Sequence, residues 1–301
     1  MAKGKVKRIG IDIGGTNTKI GLVAKGKIEK KRVIPTEKEP KSAILSLVSA
    51  IREIASQEEI ATVGIGCAGL IDHKKGIVRT PPNLPKWHNF PLKRELEKRL
   101  KIPVFVGNDV NACALGEYYY GLGKGKRNIF VLTIGTGVGG GIISDGELIL
   151  GENFAAGEFG HTLIFPEGKR CQCGNRGCLE AYIGEKGIRQ MAKILFGKEF
   201  SPEEISFWAK RKDKRAIEII EKVGYYLGLA LVNVIHLFDP EIIIIGGGIS
   251  GFGRTLLEAT RKTIKTRIMK LPKRKLAIKI SQLGSSAGIL GATRFSEILS
   301  D

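Results

Sequence analysis

The chain has 301 residues, which exceeds the usual size of one domain, so we expect two lobes with separate cores. It contains no apolar run near the roughly 20 residues that a membrane-spanning helix needs, and no signal-peptide core, which predicts a cytoplasmic protein without a membrane partner. The net charge of +19 indicates either a lysine-rich solvated surface or a nucleic-acid-binding protein, and its scattered clusters without a groove-binding motif favour the surface and no nucleic-acid partner.

The first part of the chain alternates between strand and helix patterns. Strands are predicted at 8–13, at TKIGLV after Gly14-Gly15, and at 27–34, 60–66 and 103–106. Apolar residues at helical spacing predict a first helix with one buried face, and they are Ile44, Leu47, Val48, Ile51 and Ile54. A second helix is predicted at 91–101. This alternation is typical of a mixed α/β protein.

The second part continues the alternation. Helices are predicted at 185–196, 202–210, 214–238, 252–268 and from Ser286, with strands at EIIIIG and 276–280. A weak internal repeat relates IDIGGTNTKIGLV (11–23) to LTIGTGVGGGIIS (132–144), since each runs from strand through a glycine turn to strand. We therefore predict two similar lobes. The smaller comprises residues 1–117 with the C-terminal helix 286–301, and the larger comprises 118–285.

Glycine turns at strand ends suit phosphate binding because backbone N–H groups can approach an anion closely. Two stretches match GxGxxG, at Gly135 and at Gly246, and the second follows a strand. A dinucleotide fold is not favoured, because no acidic residue lies about 20 positions further on. A P-loop is excluded, because the chain contains no GxxxxGK[ST].

The stretch DIGGTNTK is the first candidate phosphate clamp. A strand ends at Asp12, Gly14 and Gly15 turn the chain, and hydroxyl, amide and ammonium donors follow at Thr16, Asn17, Thr18 and Lys19. Such a set suits a polyphosphate with its Mg²⁺. An ordinary β-hairpin turn is the alternative. Asp12 argues against it, since a carboxylate at the end of a buried strand needs a counter-ion.

The three glycine turns together resemble the actin-like ATPase superfamily, which includes sugar kinases. The turns are DIGGT, Gly135-Thr136-Gly137 and Gly246-Gly247-Gly248, and they cover nearly the whole chain in the same order. The resemblance implies a two-lobed actin-like, ribonuclease H-like α/β fold with nucleotide and sugar in a cleft between the lobes. It also implies that the first two turns hold the phosphates and the third lies beside the adenosine.

Asn108 and Asp109 follow a predicted strand and start a helix. Asp109 is either a helix-terminal acid or a general base that takes a proton from an attacking hydroxyl, and its position alone does not decide between these roles.

Three cysteines and a histidine are crowded into HTLIFPEGKRCQCGNRGCLE. A disulfide framework is not expected in a cytoplasmic chain, and a redox centre would show CxxC where this chain has CxC. Cys171, Cys173 and Cys178 with His161 instead suit a tetrahedral structural Zn²⁺ site, in the loop 161–178. Cys67 and Cys113 lie in apolar surroundings and are interpreted as buried small residues.

Two of these stretches resemble the ROK family of bacterial sugar kinases. GNDVNACALGE resembles that family's ENDANAAALGE, whose Asp is the catalytic base, and GEFGH with CQCGNRGCLE resembles its zinc motif ExGH…CxCGxxGCxE. The resemblance makes Asp109 the base and His161, Cys171, Cys173 and Cys178 the zinc ligands. It implies a set of sugar contacts, which are Gly69, Asn83, Asn108, Asp109, Glu158, His161 and Glu180.

The resemblance therefore predicts an ATP- and Mg²⁺-dependent kinase that phosphorylates a hexose, with glucose at its 6-hydroxyl favoured, and a homodimer. Kinases for N-acetylmannosamine, N-acetylglucosamine, fructose or allose share these motifs, and ADP or polyphosphate remain alternative donors. A sugar-responsive repressor is another alternative, disfavoured because the DIGGT strand begins at residue 8, which leaves no room for a winged-helix domain.

Overall fold

The structure is a computed structural model that describes residues 6–81, 84–272 and 274–299. The chain divides into two compact units. Unit 1 comprises the residues up to Gly125, Leu148–Ala156 and the residues from Leu283 onward, and unit 2 comprises Lys126–Glu147 and Gly157–Gln282. Both units are mixed α/β, as the sequence predicts. The predicted boundary at residues 117 and 118 stays a prediction.

The described residues in the first part of the chain form seven strands and three α-helices, in the predicted alternation. In chain order they are β1 (Lys7–Ile13), β2 (Asn17–Ala24), β3 (Lys27–Pro35), α1 (Pro40–Ala55), β4 (Ile60–Cys67), β5 (Leu70–Asp72), β6 (Ile77–Thr80), α2 (Leu92–Leu100), β7 (Val104–Asn108) and α3 (Asp109–Tyr120).

In the part of the remaining chain that the structure describes, there are five strands and seven α-helices. In chain order they are β8 (Ile129–Ile134), β9 (Val138–Ser144), β10 (Glu147–Leu148), α4 (Glu180–Ile183), α5 (Glu185–Phe196), α6 (Pro202–Lys210), α7 (Lys214–Phe238), β11 (Ile242–Gly246), α8 (Gly253–Arg267), β12 (Ala277–Ile280), α9 (Ala287–Ala292) and α10 (Phe295–Ile298).

Unit 1 is built on a sheet of order β3-β2-β1-β4-β7. β1 is antiparallel to β2 and parallel to β4, which is parallel to β7. The register aligns Asp12 with Gly66 and Gly66 with Gly107. Because the carboxyl ends of parallel strands meet at one edge of a sheet, Asp12 and the Asn108-Asp109 pair lie along the same edge.

Glycines let α9 pack closely in unit 1. A side chain at Gly10 or Gly64 would overlap the backbone of α9, and side chains at Gly116 or Gly291 would overlap backbone atoms across the contact between α3 and α9. Removing the Cβ therefore allows two backbones to approach where larger residues would hold them apart.

Unit 2 repeats the arrangement of unit 1 with a sheet of order β10-β9-β8-β11-β12. β8 is antiparallel to β9 and parallel to β11, which is parallel to β12. The pairs β1–β2 and β8–β9 are thus equivalent hairpins, one in each unit. They are the two halves of the internal repeat seen in the sequence.

The core of unit 2 surrounds α7, a helix of 25 residues. Among the described residues it is the one helix long and apolar enough to cross a membrane, but its apolar side chains are largely buried inside the unit. Leu227 and Leu231, for example, are completely inaccessible. This burial is typical of a core helix in a soluble protein.

Candidate active site

The first glycine turn connects β1 to β2 and is held by hydrogen bonds to its own carbonyl groups. The Thr36 hydroxyl donates to the Gly14 carbonyl at 2.8 Å, and Lys38 Nζ donates to the Gly15 carbonyl at 2.6 Å. The Thr36 amide donates to the carbonyl of Thr16, also at 2.8 Å. These bonds fix the path of the turn, while Asn17 remains exposed at the start of β2.

Asp12 has a cation beside it that the sequence analysis did not identify as its partner. Lys19 Nζ lies 3.0 Å from Asp12 Oδ2, and the two residues are direct cross-strand neighbours in the β1–β2 hairpin. Both side chains are partly accessible, at 18% for Asp12 and 32% for Lys19. A cation and a carboxylate therefore lie together beside the turn. A metal–polyphosphate bound there could pair its phosphates with the cation and its metal with the carboxylate. The sequence feature that could have revealed this pair is the seven-residue spacing of Asp12 and Lys19 across a tight hairpin.

The start of α3 assigns separate roles to Asn108 and Asp109. Asn108 Oδ1 accepts hydrogen bonds from the amides of Val110 and Asn111, at 2.8 and 3.1 Å, so Asn108 is the N-cap. Asp109 is the first helical residue, and its Oδ1 lies 3.0 Å from the Val110 amide. The positive end of the helix dipole favours an ionised carboxylate at this position.

Asn108 also ties the start of α3 to the loop that contains Gly69. Asn108 Nδ2 donates to the Gly69 carbonyl at 3.2 Å. Gly69 has φ +101, and a Cβ there would lie 2.6 Å from the Thr80 carbonyl oxygen, so this position requires glycine. The structure therefore brings Gly69, Asn108 and Asp109 together. Asn83, the remaining predicted sugar contact of this unit, lies outside the described residues.

The thiols of Cys67, which is buried, and of Cys113, which is half-buried, lie near these carboxylates. Burial raises the pKa of Cys67 and of Cys113 far above the ordinary value, and the negative charges of Asp109 and Asp12 raise both further. Both cysteines are therefore neutral small side chains. Cys67 is buried, as the sequence predicts, whereas Cys113 is only half-buried.

The second and third glycine turns lie at adjacent strand ends in unit 2. Gly135, Thr136 and Gly137 follow β8, while Gly246 ends β11 and is aligned with Thr133 of β8. Gly247 has φ +85, and a side chain there would overlap the Ile134 carbonyl. Gly248 begins a short 3₁₀ helix that leads into α8. These two predicted nucleotide turns are therefore neighbours.

His161, Cys171, Cys173 and Cys178 form a compact cluster in unit 2. Their ligand atoms all lie within 4.8 Å of one another. The Sγ atoms of Cys173 and Cys178 are 3.7 Å apart, and Cys171 Sγ is 3.8 Å from His161 Nδ1. Bonds of about 2.0–2.3 Å to a tetrahedral zinc place ligand atoms about 3.3–3.8 Å apart, so the donor set and its spacing fit this metal.

A tight backbone knuckle presents the three thiols. The amide of Cys171 donates to the Asn175 carbonyl at 2.8 Å, and the amide of Gly174 donates back to the Cys171 carbonyl at 3.1 Å. Gly174 and Gly177 have φ of +94 and +76, which explains why glycine stands at both positions. The predicted ligand loop is thus pre-shaped by its own backbone.

The thiols differ in acidity. Burial raises the pKa of Cys178 to about 12 and also raises the pKa of Cys171, whereas the amide of Asn175 lowers the pKa of Cys173. A metal would bind them as thiolates and displace their protons.

The predicted sugar-binding residues of unit 2 adjoin this cluster. His161 Nδ1 faces Cys171, while Nε2 lies 3.9 Å from Glu158 Oε2. Glu180 begins α4, and its Oε1 lies 3.9 Å from Cys171 Sγ. One imidazole nitrogen is therefore available to a metal and the other faces a carboxylate, as a bifunctional histidine requires.

The ROK family profile matches residues 8–297. The chain belongs to the ROK family. A glucokinase from Thermotoga maritima is 41% identical, and the match covers 96% of each chain.

Solved structures of this family agree. A ROK glucokinase from Streptomyces griseus, in complex with glucose and AMPPNP, is 32% identical with a TM-score of 0.85, covering 95% of this chain and 98% of that one. A ROK transcriptional regulator, a homolog of an E. coli protein, is 29% identical with a TM-score of 0.88, and the match covers 98% of this chain and 79% of the regulator. The fold is therefore the two-lobed actin-like ATPase fold of ROK sugar kinases.

Proposed function

We propose that this ROK protein is a glucokinase that transfers the γ-phosphoryl group of ATP to the 6-hydroxyl of glucose. The observation that carries the proposal is the start of α3. There Asn108 is the N-cap and Asp109 is the first helical residue, at the position where the family segment has its catalytic base. The 41% identity to a glucokinase over 96% of both chains supports the same activity and substrate.

Asp109 acts as the general base. Its carboxylate accepts the proton of the attacking hydroxyl as the oxygen–phosphorus bond forms, and ADP leaves with the electron pair of the broken bond. The family resemblance also assigns sugar contacts to Asn108, Gly69 and Asn83, of which Asn108 and Gly69 are joined by a hydrogen bond.

The nucleotide is bound by the three glycine turns. Backbone amides of the turns Gly14–Thr16 and Gly135–Gly137 bind phosphate oxygens, except those of Gly14 and Gly135, which donate within their own turns. Gly246–Gly248 lies beside the adenosine, and Asn17 and Lys19 add side-chain donors. Asp12 would hold Mg²⁺, which neutralises phosphate charge during transfer. The ion pair between Lys19 and Asp12 supports this assignment, because it holds a carboxylate and an ammonium group together next to the first turn.

Glu158, His161 and Glu180 bind hexose hydroxyl groups, since carboxylates and imidazole nitrogens are suitable hydrogen-bond partners for them. The cluster of His161 with the three cysteines would hold a structural Zn²⁺, whose contribution is to fix the loop that presents these side chains. The distances within the cluster support this role.

Two further properties are part of the proposal. A homodimer and a cytoplasmic location are expected from the family resemblance.

The transcriptional regulator of similar fold makes a sugar-responsive repressor the second candidate, favoured by its TM-score of 0.88. A gel-shift assay with sugar-released, sequence-specific DNA binding would support that candidate over the enzyme.

Substitution of the proposed base tests the mechanism. Asp109→Asn preserves side-chain size but removes the proton acceptor, so we expect glucose binding to persist while kcat falls by about 10²–10⁴-fold. Calorimetry with glucose and a coupled assay of ADP release measure the two effects.

The matched control is Asp213→Asn. Asp213 is the N-cap of α7, and asparagine caps a helix equally well, so this variant should keep normal turnover. A near-normal kcat in Asp109→Asn would contradict the assignment of Asp109 as the base.

A further inference from the structure

Glu180 has a second set of contacts that sugar binding does not explain. Its Oε2 accepts a hydrogen bond from the amide of Val138 at 3.0 Å. Val138 is the residue that follows the glycine turn Gly135–Gly137 and begins β9. Oε1 of the same carboxylate faces the cysteine cluster, 3.9 Å from Cys171 Sγ. One carboxylate therefore contacts both the cluster and the turn.

The segment that starts at Glu180 holds the turn at both ends. The amide of Glu185 donates to the Gly135 carbonyl at 2.9 Å, while Glu180 accepts from Val138 on the other side. Within the turn, the Gly135 amide donates to the Gly137 carbonyl at 2.9 Å. The turn is thus clamped from outside by residues 180–185, in addition to its internal bond.

The packing leaves little room between the two segments. A Cβ at Gly137 would lie 2.7 Å from Glu180 Oε2, and a Cβ at Gly184 would lie 3.3 Å from the Thr136 carbonyl oxygen. Glu180 is only two residues beyond Cys178, so the position of its backbone is set by the loop 161–178 that contains the cysteine cluster. A displacement of that loop would therefore be transmitted to the turn.

We propose that Glu180 is a positioning residue for the nucleotide, which orients the Gly135–Gly137 turn through the Val138 amide and so links nucleotide affinity to the cysteine loop. The inference rests on the proposed function in taking this turn as a phosphate-binding element. It adds to the sugar contact that the family resemblance assigns to Glu180. Backbone amides bind phosphate well only when they are already oriented, and a charged acceptor gives a stronger hydrogen bond than a neutral one.

The test measures nucleotide binding without sugar, so that the sugar contact of Glu180 does not contribute. Binding of a non-hydrolysable ATP analogue with Mg²⁺ is measured by calorimetry for the full chain and its variants. Glu180→Ala removes the acceptor, and we expect about tenfold weaker binding. Glu180→Gln keeps an acceptor oxygen and should stay within about twofold of the original affinity.

Glu158→Ala is the matched control. Glu158 is the other proposed sugar carboxylate of this unit. Its Oε2 lies 3.9 Å from His161 Nε2, and among the described residues it has no hydrogen bond to the turn. Its loss should weaken sugar binding and leave analogue binding unchanged. In the same samples, hydrogen exchange at the Val138 amide should accelerate in Glu180→Ala but not in Glu158→Ala.

Melting profiles establish that each variant is folded. If Glu180→Ala does not fold, Glu180→Asp replaces it, since it keeps the charge but withdraws the carboxylate by one methylene, and the same loss of affinity is expected. Equal analogue affinity in the unsubstituted protein and a folded Glu180→Ala or Glu180→Asp variant would overturn the inference while leaving the proposed function intact. Failure of the unsubstituted protein to bind the analogue would contradict the proposed function itself.

Discussion

Asn108 and Asp109 illustrate what a sequence decides at the scale of single residues. Both residue types are good N-caps, so helix-terminal preference alone does not choose between them. The hydrogen bonds of Asn108 Oδ1 to two amides assign the cap to Asn108. The sequence placed both residues at the correct helix start, but the division of roles depended on side-chain geometry that no local pattern encodes.

His73 is a buried histidine that the sequence analysis did not single out. It is 4% exposed, its ring packs 5.3 Å from that of Phe154 and 6.3 Å from that of Phe295, and neither ring nitrogen has a partner within the described residues. Burial lowers its pKa to about 4, outweighing the opposite effect of the Asp72 charge. The native protein therefore holds this imidazole neutral.

This pKa predicts a loss of stability in mild acid. Between pH 6.5 and 4 the unfolded chain binds a proton at His73 that the native protein does not bind, so the free energy of unfolding should fall by about 2–3 kcal/mol as the pH decreases. Urea unfolding at pH 7 and pH 5 measures the effect. His73→Phe lacks the titrating group and should lose less stability over that interval, and an equal loss in both proteins would contradict the prediction.

At the scale of elements, the knuckle from Cys171 to Cys178 was the most predictable feature. Its cysteine spacing and its two glycines specified a metal loop, and the structure brings the four predicted ligand atoms together. The contact of Glu180 with Val138 was not predictable, because the two residues are 42 positions apart in the chain. The motif that contains Glu180 had also already been interpreted as a sugar contact.

The knuckle yields a prediction about metal removal. Cys173 is the exposed thiol of the cluster, so Cys173→Ser changes little packing. We expect the metal content to fall from about one zinc per chain to well below it, with a loss of about 2–4 kcal/mol in the free energy of unfolding and weaker glucose binding. Elemental analysis and urea unfolding provide the measurements.

The control for this variant is Cys113→Ala, which alters a cysteine outside the cluster and should retain the metal. If Cys173→Ser keeps the stability and glucose affinity of the unsubstituted protein after losing its metal, the metal has no structural role.

At the scale of the whole molecule, the periodicity and the repeated hairpin predicted a mixed α/β chain with two similar lobes, and the actin-like fold followed from the family resemblance. The helix 214–238 and the helix 185–196 appear with the predicted bounds. The short hairpin of β5 with β6 was missed, since strands of three and four residues carry too little alternation to be seen. Long-range packing and not local pattern determines that Leu148–Ala156 belongs to unit 1.

Within the proposed site, the pairing of Lys19 with Asp12 is another contact that the local sequence pattern did not predict. Asp12 was expected to need a counter-ion, and Lys19 was considered only as a phosphate donor, whereas the β1–β2 register makes them cross-strand neighbours. Family resemblance supplied the identity of the sugar-binding residues, since hexose contacts have no periodic signature in a sequence.

The most direct test of the central claim is an assay of the purified protein with ATP, Mg²⁺ and a panel of glucose, fructose, allose, N-acetylmannosamine and N-acetylglucosamine. ADP release is coupled to a spectrophotometric signal, and the sugar product is identified by NMR. The account predicts that glucose gives the highest kcat/KM and that the product carries phosphate on its 6-oxygen. Absence of ADP release with every sugar, or a clear preference for an N-acetylated hexosamine over glucose, would contradict it.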